Sequence, residues 1–243
     1  MNRGQPVSAA RRLRRMHDRL AKAYGPQHWW PAKTAFEVIV GAYLTQNTSW
    51  KSVERSLANL RDAGALTVDG LRAVSLHQLQ ELIRPSGFQT RKAPALKAFI
   101  AMLDAEFNGS LQRLAADPTE ALRQRLLTLL GVGQETSDAI LLYALGRPVP
   151  VVDEYLRRIA DRHRLVTPSP GRNKRTYASL VELTRQAFVS DPLLEKARLF
   201  NEFHALTVAV GKAHCSRTPN CDGCPLANDL RLVQRAHGAV PTS

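Results

Sequence analysis

The stretch that decides the fold runs from Leu126 to Ile159, "LLTLLGVGQETSDAILLYALGRPVPVVDEYLRRI". An apolar helical run stops at Gly131-Val132-Gly133, a second apolar run follows, and Asp153 stands behind "PVPVV". The spacing predicts helix, tight hairpin, helix, with Leu122, Leu126 and Leu129 packing the first arm. Glycine tolerates positive φ and lets the backbone approach a ligand closely. The second arm opens with unpaired N–H groups and a positive dipole end, a seat for a phosphate. A Gly-rich helix connection with no ligand is the plain alternative. Val149 to Val152 reads as extended and "EYLRRIADRHR" as a helix, which puts Asp153 at an N-cap. Such a carboxylate either merely caps or, held ionised by the helix end, stabilises a cation.

Composition supports the phosphate reading. The 243 residues carry a formal charge of +13, which points to a polyanionic partner, nucleic acid or an anionic membrane surface. No apolar run approaches the roughly 18 residues needed to span a bilayer. The basic first 33 residues lack the apolar core of a signal peptide, so an intracellular, non-secreted protein is expected. Leu13, Met16, Leu20 and Ala23 are spaced as one helix face.

Helical texture extends over nearly the whole chain, and the expected fold class is all-α. Phe36, Ile39, Val40, Tyr43 and Leu44 share a face, as do Trp50, Val53, Leu57 and Leu60 after the cap candidate Thr48. Ser75 opens a further helix that "RPSGF" ends. Ala93 to Phe107 reads as a helix, "DPTE" at Asp117 as a helix start with Asp117 as cap, and Phe200 to Val210 as part of a long final helix ended by Gly211. Val166 to Lys174 reads as a surface loop. Cys215, Cys221 and Cys224 fall within ten residues, an odd cluster that argues for a metal or cluster and against disulfides.

Taken together, "LLGVGQETSDAI…VPVVDEYLRRI" and "CSRTPNCDGCPL" resemble the helix-hairpin-helix and C-terminal iron–sulfur loop of the endonuclease III superfamily of DNA glycosylases. The resemblance implies two helical domains with a DNA cleft between them: a six-helix barrel over residues 33–146, and a second domain of 1–32 with 147–243. It implies a monomer acting on double-stranded DNA with a damaged base, and no membrane. Gly131, Val132, Gly133 and Thr136 would hold the DNA backbone, Gln46 of "LTQNT" would reach into the gap left by a flipped base, and Phe88 of "PSGF" would wedge the other strand. As bare residues, Gln46 reads as a solvent contact and Phe88 as a core contact. Arg91, Lys92 and Lys97 read as phosphate contacts or solvated charges.

The resemblance makes Asp153 the catalytic carboxylate. Glu135 stands eighteen positions earlier, where bifunctional members carry the lysine that forms a Schiff base. A carboxylate cannot form an imine, so a glycosylase that cuts only the base is expected. "WWP", "LTQNT" and "VVDEY" are similar to the 3-methyladenine glycosylase subgroup, in which aromatics at the Trp29 and Trp50 positions sandwich the methylated base. Trp29, Trp30 and Trp50 would then line a base pocket, because aromatic faces attract a cationic purine. On spacing alone all three read as packing. Alkylated purines such as 3-methyladenine are the expected substrates. Oxidised or mismatched pyrimidines, and damage binding without catalysis, are the alternatives. Family spacing calls for a fourth cysteine where this chain has Leu230, so Cys215, Cys221 and Cys224 would hold a [4Fe–4S] cluster with a non-Cys ligand from His214, Asp222 or Asp229. Zinc, or no metal at all, are the other readings.

Overall fold

The computed structural model describes residues 8–167 and 174–237, and among these every regular element is helical. The α-helices are α1 (Ala9–Tyr24), α2 (Ala35–Leu44), α3 (Trp50–Asp62), α4 (Val68–Ala73), α5 (Leu76–Leu82), α6 (Gln89–Phe107), α7 (Leu111–Ala116), α8 (Thr119–Thr128), α9 (Gln134–Ala139), α10 (Glu154–Arg162), α11 (Lys174–Ala187), α12 (Leu193–Ala213) and α13 (Ala227–His237). A 3₁₀ turn at Arg84–Ser86 follows α5, and α9 runs on into a π-helical turn at Ile140–Ala144. No helix among the described residues is long and apolar enough to cross a membrane. The expected loop from Val166 to Lys174 lies largely outside the described residues.

The chain divides into two compact units. One is Trp30–Arg147; the other joins the described residues up to Trp29 with those from Pro148 onward. In the first, α2 is the central helix. Every residue from Phe36 to Leu44 is buried, as a helix apolar all round must be. It packs on α3, α6 and the π-turn, and Tyr43 meets Phe99 edge-on at 6.3 Å. The second unit packs α1 on α11 and α12, and α10 on α12. Its aromatic centre is Phe188, with Phe200 at 5.8 Å, Phe203 at 5.4 Å and the His17 ring at 5.2 Å. Leu13, Met16 and Leu20 are buried as the helical spacing of α1 predicts, whereas Ala23 is exposed.

Helix starts follow side-chain chemistry. Ser8, Thr34, Ser49, Thr67, Ser75, Ser110 and Asp153 each accept the backbone N–H three residues on. Several boundaries differ from the sequence reading. Ser49, not Thr48, caps α3, because the Thr48 hydroxyl is committed to Ser86 O at 2.7 Å. Asp117 does not cap α8; its carboxylate takes a hydrogen bond from Arg125 Nε at 3.3 Å, and Pro118 stands at the N-cap. Helix α6 begins four residues before Ala93 and carries Pro94 inside it. Leu129 lies past the end of α8, half-buried, at its C-cap.

Gly211 does not end a helix either, and α12 is not the last. Gly211 lies inside α12, where a Cβ would stand 2.2 Å from the Tyr155 ring of α10. A breaker residue is tolerated here because its missing side chain is what lets the two helices close.

Candidate active site

The hairpin between α8 and α9 forms as the glycine spacing predicts, but its two glycines do different work. Gly131 has φ +75, the left-handed region that disfavours any side chain, and its carbonyl accepts Gln46 Nε2 at 2.9 Å. Gly133 is extended, with φ −97 and ψ −178, so positive φ is not its reason. A Cβ there would meet nothing within 4 Å. It is the N-cap of α9 and, as a glycine, offers no side-chain cap. Val132 is buried between the glycines. Across the hairpin, Arg123 of α8 grips Asp138 of α9 with two bonds, Nε to Oδ1 at 2.6 Å and Nη2 to Oδ2 at 3.0 Å. Glu135 is exposed in the first turn of α9.

Gln46 lies in the turn after α2, and its amide donates to Thr136 Oγ1 at 3.0 Å as well as to the hairpin carbonyl. Phe88 stands just before α6 with φ 51 and is 55% exposed, a costly conformation and a costly exposure for a phenyl ring. The core reading of Phe88 therefore fails. A hollow of about 280 Å³ is lined by Gln46, Asn47, Phe88, Arg91, Leu130 and Gly131 among others. Of the three cations read as phosphate contacts, only Arg91 is exposed. Lys97 Nζ donates to the carbonyls of Leu71, Arg72 and Val74 at the end of α4, and Lys92 is buried.

The tryptophans fall into two groups. Trp30 meets Trp50 edge-on at 5.3 Å and Tyr143 at 5.2 Å, and Trp50 Nε1 donates to Glu54 at 2.8 Å. All three tryptophans are half-buried. Trp29 belongs to the other unit, where its ring lies 5.4 Å from that of His204.

His204 leads to the carboxylate. Asp153 caps α10, accepting Leu156 N–H on Oδ1 at 2.7 Å, and is 8% exposed. Its other oxygen, Oδ2, stands 3.6 Å from His204 Nε2. One oxygen is therefore fixed by the helix and the second faces the His204 imidazole, on which the Trp29 ring packs in turn. Periodicity flagged neither His204 nor Tyr143, since each sits at an ordinary apolar position of its helix.

The cysteine loop is held to α10. Arg158 Nε donates to Cys215 O at 2.9 Å, and Arg162 Nη1 lies 2.9 Å from Cys215 Sγ. Cys215 is buried, Cys221 exposed and Cys224 between the two. Burial, with the charges of Cys221 and Cys215 nearby, pushes the Cys224 thiol up. Among the described residues no three His, Cys, Asp or Glu side chains already form a metal cage. The three thiols and the Arg162 guanidinium beside Cys215 are brought to one loop without forming a closed donor set. Half-buried Leu230 offers no fourth donor.

Asp229 is not that donor. Its carboxylate takes Arg12 Nε at 3.1 Å and Arg12 Nη2 at 2.6 Å, and faces His163 Nδ1 at 2.8 Å. Burial alone would raise this carboxyl; bonds from His163 and Arg12 outweigh it and hold it at about 2, against an ordinary 3.8. The stability this gives is full above pH 4 and is lost as pH falls towards 2. Asp229→Asn should therefore lose about 1–2 kcal/mol less than the parent over that interval, in urea melts at fixed pH. Parallel curves for the two proteins would exclude Asp229 as the acid-sensitive tie.

A family model described as the HhH-GPD superfamily of base excision DNA repair proteins matches residues 40–186. A putative DNA repair glycosylase of Methanocaldococcus jannaschii is 39% identical over 84% of this chain and 88% of its own. A thymine/uracil-DNA glycosylase of Pyrobaculum aerophilum is 30% identical over 83% of this chain and 82% of its own. Among solved structures, the H. pylori 3-methyladenine DNA glycosylase bound to 1,N6-ethenoadenine aligns with a TM-score of 0.71 at 27% identity, covering 85% of this chain and 98% of that one. The chain belongs to the HhH-GPD superfamily, and by class it is a DNA glycosylase.

Proposed function

We propose that the protein is a monofunctional glycosylase that hydrolyses the N-glycosidic bond of alkylated purines flipped out of double-stranded DNA. The observation that carries the reading is the Asp153 carboxylate, with one oxygen anchored by Leu156 N–H at 2.7 Å and the other left to act. Asp153 stabilises the oxocarbenium-like sugar and accepts a proton from the attacking water. Water bonds to C1′, the bond to the base breaks, and an N-alkylated purine leaves with the electron pair as a neutral base. Glu135 stands where an imine-forming lysine would be, so the Schiff-base route to strand cleavage is closed. Gly131, Val132, Gly133 and Thr136 seat the DNA backbone. Trp30 and Trp50, packed edge-on at 5.3 Å, and Trp29, packed on His204, are the aromatics that would meet a cationic purine. Similarity to a 3-methyladenine glycosylase supports this substrate class.

The thymine/uracil-DNA glycosylase relative favours mismatched pyrimidines as the second reading. Cys215, Cys221 and Cys224 would supply three thiolates to a [4Fe–4S] cluster that holds the loop in shape; the chemistry on the sugar does not pass through it.

Duplex oligonucleotides carrying 3-methyladenine, thymine glycol or a T·G mismatch, incubated with and without hot alkali, test the assignment. Release of the alkylated purine with strand scission only after alkali is the expected result. Scission without alkali would overturn the monofunctional reading, and preference for T·G would move the substrate to pyrimidines.

A further inference from the structure

Lys92 is 5% exposed in α6, and no chemistry proposed above uses it. Its ammonium donates three bonds: to Leu44 O at 2.8 Å, Thr48 Oγ1 at 2.6 Å and Ser86 O at 2.9 Å. Leu44 and Thr48 lie two residues either side of Gln46, and Ser86 lies two residues before Phe88. Burial lowers the ammonium to about 8, so the chain bears a desolvation cost to keep it here. The ammonium also lies 5.7 Å from the centre of the Phe88 ring, within cation–π range.

The two turns joined in this way each carry a left-handed residue. Asn47 and Phe88 each have φ 51, a left-handed conformation that asparagine tolerates and that a bulky phenylalanine adopts only where its surroundings hold it. Thr48 reinforces the junction through Ser86 O at 2.7 Å, and the Gln46 amide carries it on to the hairpin carbonyl of Gly131. Hairpin, Gln46 turn and Phe88 turn are therefore linked through one buried cation.

We infer that Lys92 is a positioning residue that locks the Gln46 and Phe88 turns into a single part, so that gap-filler and wedge enter a duplex together. This rests on the roles proposed for Gln46 and Phe88. Extruding a paired base breaks pairing and stacking, and an unpaired base is the easiest to extrude. A residue that only stabilises the fold would affect both substrates alike; one that registers the two probes against each other matters only where a pair must be opened.

The test is excision of one alkylated purine placed either fully paired in a duplex or in a single strand. It is run beside the fluorescence of 2-aminopurine adjacent to the lesion, which brightens when stacking is lost. Lys92→Met should lower excision from the duplex by about 10–100-fold and the single-strand rate by less than about threefold, with 2-aminopurine brightening reduced at equal occupancy. Thr48→Val, which keeps the ammonium and two of its acceptors, should show the same split at smaller size and serves if Lys92→Met fails to fold. Equal losses on both substrates, or unchanged brightening, would overturn the role of Lys92. A parent protein that brightens the probe without releasing the base would instead overturn the glycosylase reading and leave the Lys92 comparison intact. One that neither brightens nor cuts would overturn both.

Discussion

Asp153→Asn should abolish base release while leaving duplex affinity and the fold in place, lowering the single-turnover rate by roughly 10²–10⁴-fold. Asparagine caps a helix about as well as aspartate, so the Leu156 N–H bond to the side-chain oxygen, 2.7 Å in the parent, survives. What disappears is the negative charge on the atom facing His204, and with it the electrostatic support for a cationic sugar and the acceptor for the water's proton. On the proposed function, binding rests on the hairpin residues Gly131 to Gly133, which the substitution does not touch. Single-turnover excision and equilibrium binding on the same lesion duplex separate the two effects. An Asn variant that retains more than about a tenth of the parent rate would remove Asp153 from the chemistry.

Asp138→Ala should cost about 3–5 kcal/mol of stability, measured as the urea midpoint shift at constant slope. The Asp138 side chain is 1% exposed and that of Arg123 18%, so deletion takes a two-bond carboxylate away from a guanidinium that little water reaches. The pair spans α8 and α9, and its loss frees the arms of the hairpin as well as weakening the core. Replacing both partners with apolar residues, Arg123→Met with Asp138→Leu, should recover most of the stability, because no buried charge is then left alone. If the double substitution is as unstable as the single one, geometry and not charge holds this joint.

Local features were the ones legible in the sequence. The glycine hairpin, the helix over Phe36 to Leu44 and the Asp153 cap follow from spacing and from short-range hydrogen bonding, and the structure has each of them, although that helix is buried on every side and not on one face. Residues whose partners are remote in sequence were the ones misread. Thr48 looks like a cap until Ser86 competes for its hydroxyl, and Lys92 looks like a phosphate contact or a solvated charge until the carbonyls of Leu44 and Ser86 surround it. Asp229 read as a metal donor, although Arg12, 217 positions away, already holds it. His204 carried no signal at all, since nothing in its own helix says that Asp153 stands opposite.

The notch at Gly211 sets a limit on how this chain can vary. Tyr155, two residues into the helix that Asp153 opens, fills the space where a Cβ would lie 2.2 Å from its ring. Arg158 covers the same ring at 4.8 Å and holds the Cys215 carbonyl at 2.9 Å. Positions 155 and 211 therefore form one exchange of volume. A lineage that enlarges the glycine must shrink the tyrosine in step, and in doing so it shifts the seat of the carboxylate and the anchor of the cysteine loop together.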